Sequence, residues 1–122
     1  MSGRIESYKD LIVWQQAVDL AAATYALTRA WPKAEIYGLT SQARRAVTSV
    51  AANIAEGYGR ESRGSYQQFL RMAQGSLKEF ETHLIIAERA GIADSIGVKP
   101  LLDQAEEVGK MLRSLIRKLE PS

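Results

Sequence analysis

The chain has 122 residues, 46% of them hydrophobic and 25% charged, enough apolar material for one domain with a real core and too little length for two. It has no cysteine, which excludes disulfide frameworks, thiolate metal sites and cysteine nucleophiles, and its formal net charge of +2 argues by itself for no partner. MSGRIESYKD carries no apolar leader and no run is long enough to span a bilayer, so the expectation is a cytoplasmic protein with no membrane role, folded over residues 1–122 as a single domain.

The first helix is expected over about residues 8–30. Ser7 followed by Asp10 has capping-box spacing. Trp14, Ala17, Val18, Ala21 and Tyr25 supply an inward stripe, which Leu11 and Thr28 extend, and Trp31-Pro32 ends the element. A second helix is expected over about residues 38–57, with Leu39, Ala43, Ala46, Val47, Val50, Ala51 and Ile54 on its apolar face. Gly57 and Gly59 would provide the backbone freedom to leave it. The third, over about 65–90, opens on the capping-box pair Ser65 and Gln68. It buries Tyr66, Phe69, Leu70, Ala73, Leu77, Phe80, Leu84 and Ala87, and closes on Gly91 as a left-handed cap with Ile92 behind it. The fourth, over about 98–119, carries Pro100 in its first turn and a seam of Leu101, Ala105, Val108, Leu112, Leu115 and Leu119.

The two helices between Leu39 and Gly91 have near-heptad seams and organise the rest of the chain. Four such seams must bury against one another, the connections are short, and no strand alternation competes. The fold class predicted is all-α, an antiparallel up-down-up-down four-helix bundle.

Chemistry is harder to find. Di-metal bundles need Glu-x-x-His pairs, but the only histidine is His83, and Glu79 and Glu81 stand four and two residues before it. No metal site, cofactor or catalytic residue is assigned, and His83 reads as a surface or interface residue. Gly57-x-Gly59 follows a helix and lacks the ending of a phosphate loop.

The polar residues are more informative. Gln42, Arg45, Ser49, Asn53 and Glu56 recur at helical spacing beside the apolar stripe of the second helix, and Gln74, Ser76, Lys78, Glu79, Glu81 and Thr82 lie close to the seam of the third. Polar groups in such places need partners. Either this is a solvated face, or it is a polar subunit interface where Arg44 or Arg45 meets Glu79 or Glu81. Arg44, Arg45, Arg60, Arg63 and Arg71 are also close in sequence, and together they would suit phosphate backbones, with Tyr58 and Tyr66 available to stack on unpaired bases.

At these residues the chain resembles the small bacterial bundle proteins named for the open reading frame inside 23S ribosomal RNA intervening sequences. The motifs are YKDLIVWQQAVDLA, Pro32, Glu35-Ile36-Tyr37-Gly38-Leu39, Gln42, Arg45-Ala46, Ser49, Asn53-Ile54-Ala55-Glu56-Gly57 and FLRMAQGSLKEFETHL; the last helix matches only in pattern. The resemblance implies an antiparallel four-helix bundle, ring-shaped homopentamers, and kinship with accessory proteins of diversity-generating retroelements that engage nucleic acid through a basic surface. It also implies that Arg45, Asn53, Glu56, Ser76 and Glu79 occupy characteristic polar positions that serve structure and assembly.

The resulting expectation is a non-enzymatic homo-oligomer, a pentamer by preference, acting as a scaffold and binding RNA or DNA through Arg44, Arg45, Arg60, Arg63 and Arg71. Gln42, Arg45, Asn53, Glu56, Ser76 and Glu79 would form its polar assembly network. The alternative is a protein–protein interaction module whose basic residues serve subunit ion pairs.

Overall fold

The computed structural model describes residues 4–120. Four helices, α1 (Ile12–Thr28), α2 (Leu39–Tyr58), α3 (Arg63–Arg89) and α4 (Ser95–Lys118), form an antiparallel up-down-up-down bundle, with short 3₁₀ turns at Tyr8–Asp10 and Lys33–Glu35. Each helix packs on its two neighbours around the ring and the diagonal pairs do not approach. The core runs down the axis, where Leu20, Val50, Ile54, Leu70, Phe80, Leu84 and Leu112 are fully enclosed.

The Ser7–Asp10 capping box is present, with the Asp10 carboxylate accepting from the Ser7 amide at 3.1 Å, but it closes a 3₁₀ turn and not a helix. Leu11 is extended, so α1 starts later than residue 8 and ends before residue 30. Its buried line is Val13, Ala17, Leu20, Thr24 and Thr28, one step round from the stripe read off the sequence. Val18 and Tyr25 face outward and Trp14 is half-buried, its ring edge-on to Tyr8 at 5.1 Å. Threonines displace those larger residues because their hydroxyls are satisfied locally: Thr24 and Thr28 each donate to the carbonyl four residues back at 2.8 Å.

α2 and α3 bury most of the apolar faces that their periodicity demands, with Leu39, Tyr66 and Phe69 only half-buried, and the break between them is built differently from expectation. α2 runs to Tyr58, one residue past the expected end at Gly57, and the φ of Gly57 is not positive, so this glycine is not the flexible exit expected of it. A Cβ there would stand 2.8 Å from the Phe69 Cβ and 3.2 Å from the Tyr66 carbonyl oxygen, so glycine is what allows α2 and α3 to cross so closely. The cap of α3 is Ser62, whose hydroxyl accepts from the Ser65 amide at 3.1 Å; Ser65 itself is already helical. Ser62→Ala should therefore cost about 1 kcal/mol. Ser65→Ala should be near neutral in a thermal melt, and equal losses for the two would return the cap to Ser65.

The far end of α3 is a complete Schellman closure. Gly91 has φ 78°, its amide donates to the Glu88 carbonyl at 3.1 Å, and the Ile92 amide donates to the Ala87 carbonyl at 2.9 Å. α4 opens at Ser95, capped by Asp94, whose carboxylate accepts from the Gly97 amide at 2.9 Å. Pro100 thus falls in the second turn and not the first. Near its end the α4 seam passes to Ile116, leaving Leu115 and Leu119 half-buried.

Candidate functional site

The polar stripe of α2 and the facing positions of α3 converge on one seam. Ser49 and Ser76 bridge the helices through their hydroxyl oxygens at 3.0 Å, and the Asn53 amide donates both to the Ser49 carbonyl at 2.9 Å and to its hydroxyl at 3.0 Å. All three residues are half-buried. This small network satisfies its own members and pins the register of the two helices.

One turn beyond it the seam opens into a groove of about 460 Å³ lined by Gln42, Arg45, Ala46, Ser49 and Glu79. Arg45 is exposed and has no hydrogen-bond or ion-pair partner among the described residues. Glu79, also exposed, meets only the imidazole of His83, Nε2 to Oε2 at 3.8 Å. Of the surface and interface readings of His83, the single chain contradicts an open surface position. Its side chain is 12% exposed, and neither ring nitrogen reaches water or a hydrogen-bond partner. A second helix seam can enclose an imidazole that a one-dimensional helix pattern places among charges.

Gln42, Arg45, Ser49, Asn53, Ser76 and Glu79 are thus gathered along one seam. Glu56 leaves it, accepting from Arg60 at 3.0 Å on the exposed end of α2.

The five arginines do not share a surface. Arg44 lies on the α1 side of α2, its Nε donating to Thr28 at 2.9 Å and its guanidinium 4.8 Å above the Tyr25 ring. Arg45 faces the α2–α3 groove. Arg60 packs over the Phe69 ring at 4.6 Å at the opposite end of α2, and Arg63 opens α3. Arg71 lines a different groove between α3 and α4, with Lys78 and Arg113. Tyr58 and Tyr66 are not free platforms either. They pack edge to face at 6.1 Å, and burial, with Tyr58 as the lesser cause, pushes the Tyr66 phenol above its ordinary value.

Among the described residues no group of three or more His, Asp or Glu is placed to hold a metal ion, and no helix is long and apolar enough to cross a membrane.

Comparison with known proteins gives the family and supports the fold. A family model described as "23S rRNA-intervening sequence protein" matches residues 9–114, which reaches well into α4. A crystal structure of a protein of unknown function from the S23 ribosomal protein family of Bacteroides thetaiotaomicron VPI-5482 superposes with a TM-score of 0.78. It is 22% identical, and the match covers 86% of this chain and 98% of that one. At this identity it speaks for the fold alone. No curated protein matches the chain.

Proposed function

The chain belongs to the 23S rRNA-intervening sequence protein family, and on that premise we propose that it is a non-enzymatic, cytoplasmic homo-oligomeric scaffold that presents arginines from several copies to RNA or DNA. The observation that carries the assembly is the α2–α3 groove. Arg45 and Glu79 open onto it from different helices, and Arg45 has no partner of opposite charge within the described chain. Charges of opposite sign on one face are self-complementary, and a second copy offers Arg45 the carboxylate it lacks and Glu79 a full positive charge beside His83. A self-complementary face joins two copies about a two-fold axis, so the groove supports a pair, and the ring of five implied by the family resemblance would need a further, head-to-tail contact.

Assembly also gives dispersed arginines a collective role. A single copy places Arg44 against α1, Arg60 and Arg63 around the α2–α3 connection, and Arg71 on the α3–α4 groove. Nucleic-acid affinity grows with the number of phosphates contacted together, so a ring would multiply what one copy holds weakly.

Charge reversal tests the interface. Arg45→Glu or Glu79→Arg alone should shift the mass seen by light scattering toward the monomer, with an association constant at least about tenfold lower. The double reversal should restore the assembly. A monomeric wild-type protein, or a double variant no better than the singles, would sink the interface. Nucleic-acid retention should fall steeply between low and moderate salt, and retention indifferent to salt would remove the nucleic-acid role.

A second reading rests on a different feature. The α1–α4 side carries an apolar groove of about 500 Å³ lined by Ile5, Leu11, Ile12, Val13, Met111 and Leu115 and flanked by Lys110 and Lys118. That shape suits an amphipathic helix of a protein partner. Under that reading the scaffold's partner is protein and nucleic acid is absent from the purified assembly.

A further inference from the structure

The corner where α1 gives way to α2 holds polar atoms that the fold leaves without partners. A groove of about 440 Å³ is lined there by Thr28, Arg29, Trp31, Lys33, Thr40 and Arg44, with Pro32 and Ile36 as its apolar wall. Trp31 is 7% and Thr40 2% exposed, yet the indole Nε1 of Trp31 and the hydroxyl of Thr40 make no hydrogen bond. Leaving such groups unpaired is costly, and most buried polar atoms in folded proteins avoid it.

The charge that lines the groove is of one sign. The lining holds Arg29, Lys33 and Arg44 and no acid. Glu35, the nearest carboxylate in sequence, is committed to the Leu39 amide at 3.2 Å. Arg44 is held in place: its Nε donates to the Thr28 hydroxyl, which itself donates to the Thr24 carbonyl, and the Tyr25 ring lies beneath the guanidinium. With Nε and one face so fixed, its two Nη groups remain for a ligand, the fork that suits phosphate. Thr40 belongs to the first turn of the 20-residue α2, so the positive end of that helix adds to the field. The last turn of α1 opposes it with a partial negative charge, which three full cations outweigh.

We propose that this corner is a binding site for a phosphate monoester borne by a small organic molecule. Arg44 takes the phosphate as a positioned fork, Arg29 and Lys33 add charge from the rim, and the Trp31 N–H and Thr40 hydroxyl, enclosed in the free chain, become donors as the lining shifts to admit the ligand. Pro32 and Ile36 face the organic part. A groove of this volume lies in the range of small-molecule sites. The site is separate from the α2–α3 seam, so it stands or falls independently of assembly.

The test follows the indole N–H resonance of Trp31 in the full chain, identified by its loss in Trp31→Phe, while inorganic phosphate, AMP or adenosine is added. Saturable shifts with phosphate and AMP, and none with adenosine, are expected. AMP binding tighter than phosphate would assign the difference to the apolar wall. Arg44→Gln should weaken AMP at least about tenfold, as befits a lost charged hydrogen bond. Thr40→Val should weaken it too while melting no lower than the parent, because the unpaired buried hydroxyl is replaced by a methyl group of similar size. No saturable shift with phosphate or AMP would overturn the proposal. So would an adenosine response equal to that of AMP, or a loss in Arg113→Gln, a cation of the α3–α4 groove, equal to that in Arg44→Gln.

Discussion

Replacing Phe80 by alanine should lower the stability of the bundle by about 3–5 kcal/mol. Phe80 is the largest of the fully enclosed side chains and lies about two-thirds of the way along α3, the helix that packs on both α2 and α4. The loss has two parts, the transfer of the ring's apolar area back to water and the void left where close-packed neighbours cannot collapse. The helical propensity of alanine offsets less than about 1 kcal/mol of it. For a domain of this size the melting temperature should fall by roughly 10–20 °C. Glu88→Ala, on the exposed side of the same helix, should stay within about 0.5 kcal/mol of the parent. A Phe80→Ala protein that melts with Glu88→Ala would mean that the seam of α3 is rotated from where the structure puts it.

The seams of α2, α3 and α4 could be read from spacing because their buried faces are built of Val, Ile, Leu, Phe and Ala, so hydropathy and burial coincide. α1 broke that coincidence. Its residues are apolar nearly all round, with Asp19 the only charge between Ile12 and Thr28, so the pattern gave no sharp direction. The choice fell to Thr24 and Thr28, polar by composition yet buried because each satisfies its hydroxyl on its own helix. Termini were harder for a similar reason. Ser62 and Ser65 both offer a cap, and only the path of the chain decides which hydroxyl meets a free amide.

The site divides along the same line. Gln42, Arg45 and Ser49 share a face of α2 through helical spacing, and Ser76 and Glu79 share one of α3, so their convergence follows once the helices are paired. The arginine grouping failed because adjacency in sequence is not adjacency in space. Arg44 and Arg45 are rotated about 100° from each other on the helix, which sends one to α1 and the other to α3. That Trp31, Thr40 and His83 enclose unpartnered polar atoms could not be read from the sequence. What marks them is the absence of a partner for a buried atom, and that is a property of the packed chain.

Gly57 shows how far the same substitution can differ in sign within one bundle. In a helix interior, glycine to alanine ordinarily stabilises by about 0.5–1 kcal/mol, since alanine has less freedom to lose on folding. Gly75→Ala should show that gain, because a Cβ at Gly75 meets nothing within 4 Å. At Gly57 the added atom would fall 2.8 Å from the Phe69 Cβ, 3.1 Å from the Tyr66 ring and 3.2 Å from the Tyr66 carbonyl oxygen. Neither a Cβ nor a backbone oxygen can swing aside, so relief requires α2 and α3 to part at their closest crossing. Gly57→Ala should therefore destabilise by about 1–3 kcal/mol net of the propensity gain, and the bulkier Gly57→Leu by more. Paired thermal melts decide it: Gly75→Ala above the parent and Gly57→Ala below it. A Gly57→Ala protein melting at or above the parent would mean that the two helices do not approach as closely as the structure has them, and that the glycine serves only to let the chain leave α2.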